Sequence, residues 1–98
     1  MPHRLAPEAE GDLDEIWLYT ARESDSLEIA DRLIDSIGER FLLLARHPHV
    51  GRARYADLRP GLRSFPVGRY IILYRVTDGG DVLILYVFPA ARDIEPLL

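Results

Sequence analysis

Every cation in this 98-residue chain is an arginine: there are twelve, and there is no lysine. A guanidinium presents a planar fork of N–H donors that grips carboxylate or phosphate at two points, which an ammonium cannot do. The arginines are unevenly spread. Residues 1–49 hold 5 arginines against 11 carboxylates, net −6, residues 50–98 hold 7 against 5, net +2, and the halves sum to the formal charge of −4. Between 50 and 69 the cations Arg52, Arg54, Arg59, Arg63 and Arg69 face only Asp57, a local patch suited to an anionic partner. The absence of lysine carries less weight, since codon usage in a GC-rich genome produces the same composition. The negative total argues against a protein that coats nucleic acid, because counterion release requires many clustered cations.

Proton carriers and metal ligands are scarce. Without cysteine there is no disulfide, no thiolate nucleophile and no cysteine-based zinc site. The three histidines, His3, His47 and His49, fall at the terminus or in a loop. His47 and His49 flank Pro48 with no suitable acid beside them, so they read as solvated loop residues rather than ligands, and neither metal nor cofactor is expected.

These side chains must be carried by one small fold. The length suits a single domain over 1–98 with one core, and 48% hydrophobic with 29% charged residues is an ordinary globular balance. His3-Arg4-Leu5 is a short candidate strand. Pro7 sits where a first helical residue tolerates proline, and Ala9, Leu13, Ile16, Trp17 and Ala21 recur at helical spacing, which predicts a helix over roughly 7–23. Trp17 lies on that stripe and is expected in the core, whereas Tyr19 falls off it and borders the core or meets a partner. Asp25-Ser26-Leu27-Glu28 resembles a capping box, and Ile29, Ala30, Leu33, Ile34, Ile37, Phe41 and Leu44 continue a second helix that His47-Pro48 ends. After a loop from His49 to Gly61 come strands at Leu62–Val67, Tyr70–Val76 and Val82–Phe88. Pro66 confines the first of these to an edge or an irregular end, and Thr77 to Asp81 supplies the last hairpin turn. The expected fold is α+β, in the order β-α-α-β-β-β, with a helical hairpin packed on a small antiparallel sheet. No apolar run is long enough to span a membrane and the first residues lead into an acidic stretch, so a cytoplasmic location is the default expectation.

Five stretches then carry a family resemblance: Leu5-Ala6-Pro7-Glu8-Ala9 with Leu13 through Trp17; the Pro48…Gly51-Arg52 loop; Gly61-Leu62-Arg63-Ser64-Phe65-Pro66-Val67-Gly68; Tyr70…Tyr74-Arg75-Val76; and Ala91-Arg92-Asp93. In order and spacing they resemble the ParE-type plasmid-stabilisation toxins of the RelE/ParE superfamily. The resemblance implies a type II toxin that traps DNA gyrase while its DNA is cut. It further implies a ParD-like, ribbon-helix-helix antitoxin that wraps the toxin in a hetero-oligomer and alone contacts operator DNA. Two departures stand out. Ala6 replaces the serine that often caps the first helix, and Pro89 stands where the family's last strand commonly carries histidine.

RelE-type relatives cleave mRNA on the ribosome, chemistry that needs a base, an acid and cations for the phosphate. Here Arg63, Arg75 and Arg92 are cations that could converge on one face, and Tyr86 is the remaining proton carrier, a phenol and so a poor base without arginine assistance. The favoured expectation is therefore a non-enzymatic gyrase inhibitor with Arg59, Arg63, Arg69, Arg92 and Asp93 as target contacts. The alternatives are a ribosome-dependent endonuclease using Arg63, Arg75, Tyr86 and Arg92, and a module that has lost toxicity and only scaffolds an antitoxin–operator complex. Bland roles compete. Arg75 is as well suited to lie over an aromatic or pair with a helix acid, and Arg92-Asp93 to form a local ion pair of little energetic weight. The acidic helices also suit an antitoxin segment bringing arginine or lysine, and strands 3–5 and 62–67 are candidate edges for an added strand.

Overall fold

The computed structural model describes residues 3–53 and 61–91. Its elements run β1 (His3–Leu5), α1 (Pro7–Ser24), α2 (Leu27–Arg46), β2 (Arg52–Ala53), β3 (Leu62–Val67), β4 (Tyr70–Val76) and β5 (Val82–Pro89). The expected element order is present, with the two-residue β2 added, and the two helices pack together on one face of the sheet.

Pro7 at the first helical turn, with Glu8 and Glu10 facing the positive end of the helix dipole, starts α1 without a side-chain cap from Ala6. It ends at Asp25, whose left-handed backbone (φ 53°) turns the chain while its N–H bonds Ala21 O. The N-cap of α2 is therefore Ser26, one residue later than the capping box implies: its side chain accepts a 3.1 Å bond from the Ile29 N–H. Trp17 is only half-buried, a departure from its expected core place. Its indole N–H reaches Asp31 Oδ1 across the hairpin at 2.8 Å, so the ring sits at the helix–helix margin where a polar partner is available.

The sheet order is β1-β5-β4-β3-β2. It is mixed rather than wholly antiparallel, because β1 lies parallel to β5 with His3 opposite Val82 and Leu5 opposite Ile84. The two helices and the strands β2 to β4, between β1 and β5 in the chain, make the long connection that a parallel pair needs. β2 pairs only with Arg63 and Ser64, so among the described residues the Pro66 half of β3 has no outer neighbour, as its missing N–H requires. Val67 and Tyr70 pair across a two-residue turn in which Gly68 takes φ 56°, a conformation a side chain would strain.

Between β4 and β5 the register shifts. Leu73 faces Tyr86 but Tyr74 faces Ile84, leaving Leu85 as an extra residue in a bulge. The bulge changes which face alternate residues of β5 address. Val82 and Ile84 before it, and Val87 after it, all pack into the core with Ile16, Ile37, Phe41, Leu44, Ile72 and Tyr74. On the opposite face a smaller cluster forms from Leu62, Leu73 and Phe88, with Ile71, Leu85 and Tyr86 against it. Each fully buried aliphatic side chain contributes about 1.5–3 kcal/mol, so loss of a central one such as Ile37 would remove a large part of a small domain's stability.

Candidate functional site

Register assigns each arginine of the sheet to a face. Arg4 pairs with Leu83, Leu83 with Arg75, and Arg75 with Leu62, whose side chain belongs to the cluster turned away from the helices. Arg52 pairs with Ser64, and Ser64 with Leu73 of the same cluster. Directly paired residues share a face, so Arg4, Arg75 and Arg52 lie together on the helix-distal side, all three exposed. Tyr86 joins them there, half-buried opposite Leu73 and two residues along β4 from Arg75. The described strand positions of this face hold no carboxylate and no imidazole.

Arg63 is on the other side. It pairs with Tyr74, a core residue, and its Nη1 donates to His49 O at 3.1 Å and Gly51 O at 2.8 Å. Tyr74 works on the same segment: its hydroxyl donates to Pro48 O at 2.8 Å and accepts the Gly51 N–H at 2.9 Å. Burial raises the Tyr74 pKa above 10.0, with the Gly51 bond and Arg63 acting against it, so the phenol holds its proton and remains a donor. Arg63 and Tyr74 thus pin the loop between α2 and β2, and the expected convergence of Arg63 with Arg75 on one face is not what forms. The half-buried guanidinium donates to two carbonyls of that loop through Nη1.

Arg69 stands elsewhere again, in the β3–β4 turn. It borders a cleft of about 370 Å³ between α1 and the ends of β4 and β5, together with Asp12, Glu15, Tyr19, Tyr70 and Val87. Arg59, Arg92 and Asp93 lie outside the described residues. Of the histidines, His47 and His49 are exposed in the loop after α2, while His3 is partly buried, 5.3 Å ring to ring from Phe41. Burial lowers the His3 pKa below 6.5, and its Nδ1 has no hydrogen-bond partner among the described residues.

The arrangement gathers three exposed guanidinium groups on one sheet face, a chemistry suited to anions. Arg4 in that set was missed by the sequence argument, and Arg52 was counted only as part of the basic stretch. The signal was the alternation of His3-Arg4-Leu5, which sends Arg4 to the face opposite its neighbours once β1 joins the sheet.

Comparison with known proteins agrees with this architecture. A family model described as ParE toxin of type II toxin–antitoxin system, parDE, matches residues 4–94. Toxin ParE3 of Caulobacter vibrioides is 39% identical over 88 residues, covering 90% of this chain and 85% of its own length. Among solved structures, the chromosomal ParDE toxin–antitoxin system from P. aeruginosa superposes with a TM-score of 0.76 at 23% identity, over 91% of this chain and 95% of that one. The toxin–antitoxin complex RelBE2 from Mycobacterium tuberculosis superposes with a TM-score of 0.64 at 24% identity, over 91% and 99%.

Proposed function

Since the chain belongs to the ParE toxin family of type II toxin–antitoxin systems, we propose that it arrests growth by binding DNA gyrase and holding it in its cleaved-DNA state. On this reading it catalyses no reaction of its own, acts in the cytoplasm, and is neutralised by a ParD-like antitoxin that alone contacts operator DNA. The observation that carries the non-enzymatic part is the helix-distal sheet face. Arg4, Arg52 and Arg75 offer charge for binding, and the strand positions around them supply no group suited to shuttle protons at neutral pH. Arg4, Arg52 and Arg75 are the target contacts we assign among the described residues. Arg63 leaves that set, because the His49 and Gly51 carbonyls occupy it.

Purified protein added to gyrase and supercoiled DNA should raise the yield of cleaved DNA, while mRNA in a translating extract stays intact. The opposite pair of results would replace gyrase with the ribosome. That second reading draws on one specific feature, the placement of Tyr86 beside Arg75 on the same face. Tyr86→Phe separates the two: the substitution leaves growth arrest unchanged in a binding toxin and abolishes it if the hydroxyl takes part in strand cleavage. Growth arrest on expression without the antitoxin excludes the remaining possibility, a module that only scaffolds the operator complex.

A further inference from the structure

α1 carries six carboxylates, Glu8, Glu10, Asp12, Asp14, Glu15 and Glu23, against the single cation Arg22. Glu8, Glu10, Asp14 and Glu15 have no ion-pair partner among the described residues, whose two ion pairs, Arg32 with Glu28 and Arg40 with Glu39, both lie within α2. An exposed helix tolerates such a surplus in water, yet self-repulsion along one helix has no stabilising role.

The surplus coincides with a concavity. The cleft described above has Ile16 and Val87 in its lining, Tyr19 and Tyr70 as aromatic walls, and Asp12 and Glu15 on the α1 side. Asp12 is held in place, since its Oδ2 accepts the Val87 N–H at 2.9 Å. Tyr19 is 61% exposed, an unusual position for a large side chain bordering a hollow. Glu23 hydrogen-bonds the Tyr19 phenol and raises its pKa, so the ring stays neutral and another carboxylate stands close by. Aromatic faces with carboxylates beside them match one chemistry well: a long basic side chain, its methylene stem against the rings and its charged head at the acids. Arg69, on the opposite lip, disfavours a second cation there and so fixes which way such a segment runs.

We propose that this cleft between α1 and the β4–β5 ends receives an arginine or lysine side chain from the antitoxin, which makes it an anchor for neutralisation separate from the helix-distal arginine face. The inference rests on the reading that an antitoxin binds this chain, and it places that contact on the helix side of the sheet. Antitoxin binding and target binding then occupy different surfaces, so an anchored antitoxin must extend around the sheet, or distort it, to block the target.

The test uses the full-length protein and the product of the neighbouring antitoxin reading frame, with affinity measured by calorimetry at two salt concentrations. Glu15→Lys and Tyr19→Ala should each weaken binding at least tenfold, the first also reducing its salt dependence, while gyrase-dependent DNA cleavage stays at the wild-type level. Reversing one basic residue of the antitoxin to glutamate should restore affinity to Glu15→Lys and to no other variant. Wild-type affinity in both variants overturns the proposal, as does a loss that no single antitoxin charge reversal repairs. Self-association of the isolated chain that the same variants abolish would assign the cleft to a second copy and overturn it too. If the wild-type chain binds no product of the neighbouring frame, the antitoxin reading falls first; if it binds and only the variants are silent, the cleft assignment alone falls.

Discussion

Replacing Gly51 with alanine should cost this protein a large share of its stability. A Cβ at that position would run into the Tyr74 hydroxyl, with Tyr74 Cε1 at 2.7 Å and Ser64 O at 2.9 Å. Tyr74 is 0% exposed and packed in the core, so its ring cannot swing aside, and Ser64 O is backbone. The loop must move instead. That breaks the 2.9 Å bond from Gly51 N and the 2.8 Å bond to Pro48 O, and loosens the Arg63 grip on Gly51 O. Two hydrogen bonds at about 1 kcal/mol each, plus about 1–3 kcal/mol for a buried hydroxyl left without partners, give a loss of roughly 3–5 kcal/mol. Against about 5–15 kcal/mol for a typical domain this is severe, and at about 4–8 °C per kcal/mol it lowers Tm by roughly 12 °C or more. Urea unfolding followed by circular dichroism measures it. Gly38→Ala is the internal control: its Cβ meets nothing within 4 Å inside α2, so the same substitution there should stabilise by about 0.5–1 kcal/mol. A Gly51→Ala protein within about 0.5 kcal/mol of wild type, the range of an unremarkable surface change, would refute the argument.

Four further outcomes follow from the same contacts. The raised pKa of Tyr74 means its contribution is complete below pH 10.0 and is lost as pH climbs above that through the folded value; Tyr74→Phe should destabilise at neutral pH and remove this alkaline component from a stability–pH profile. His3 has the opposite sign: its lowered pKa makes its contribution complete above pH 6.5 and lost as pH falls from there through the folded value, so His3→Phe should flatten the acid limb of the same profile. Ala6 has extended backbone (φ −67°, ψ 154°) with no side-chain cap, and Ala6→Ser should add about 0.5–1 kcal/mol, read as a higher unfolding midpoint. Arg75→Glu should abolish growth arrest yet leave the urea midpoint within about 0.5 kcal/mol of wild type, since an exposed charge contributes little to folding; full toxicity would remove Arg75 from the target surface.

Much of the fold is legible because it is written locally. The stripe from Ile29 to Leu44, the Pro7 start and the Thr77–Asp81 turn all depend on residues within a few positions of one another. What escapes is set by distant partners. Nothing in His3-Arg4-Leu5 says that it pairs with residues 82–84, or that the pairing is parallel. Val82–Phe88 is apolar almost throughout, so alternation gives no register and the extra Leu85 leaves no trace in the pattern. The N-cap at Ser26 rather than Asp25 depends on a left-handed residue that both candidates tolerate in principle. The site shows the same division. The basic stretch between 50 and 69 is visible as composition, but which face each arginine takes is decided by strand pairing. The part Arg63 plays in holding the loop after α2 is hidden for the same reason, because its partners are backbone carbonyls, which no sequence pattern advertises.

Among the described residues, the first strand of this protein finds its one sheet neighbour at residues 82–84. During synthesis, then, the opening strand cannot take that place until residues 82–84 have been made. Arg4 reaches its place beside Arg75 only when the closing strand slides between them. A polypeptide without that strand cannot assemble the guanidinium face, since Leu83 is what joins Arg4 to Arg75 across the sheet.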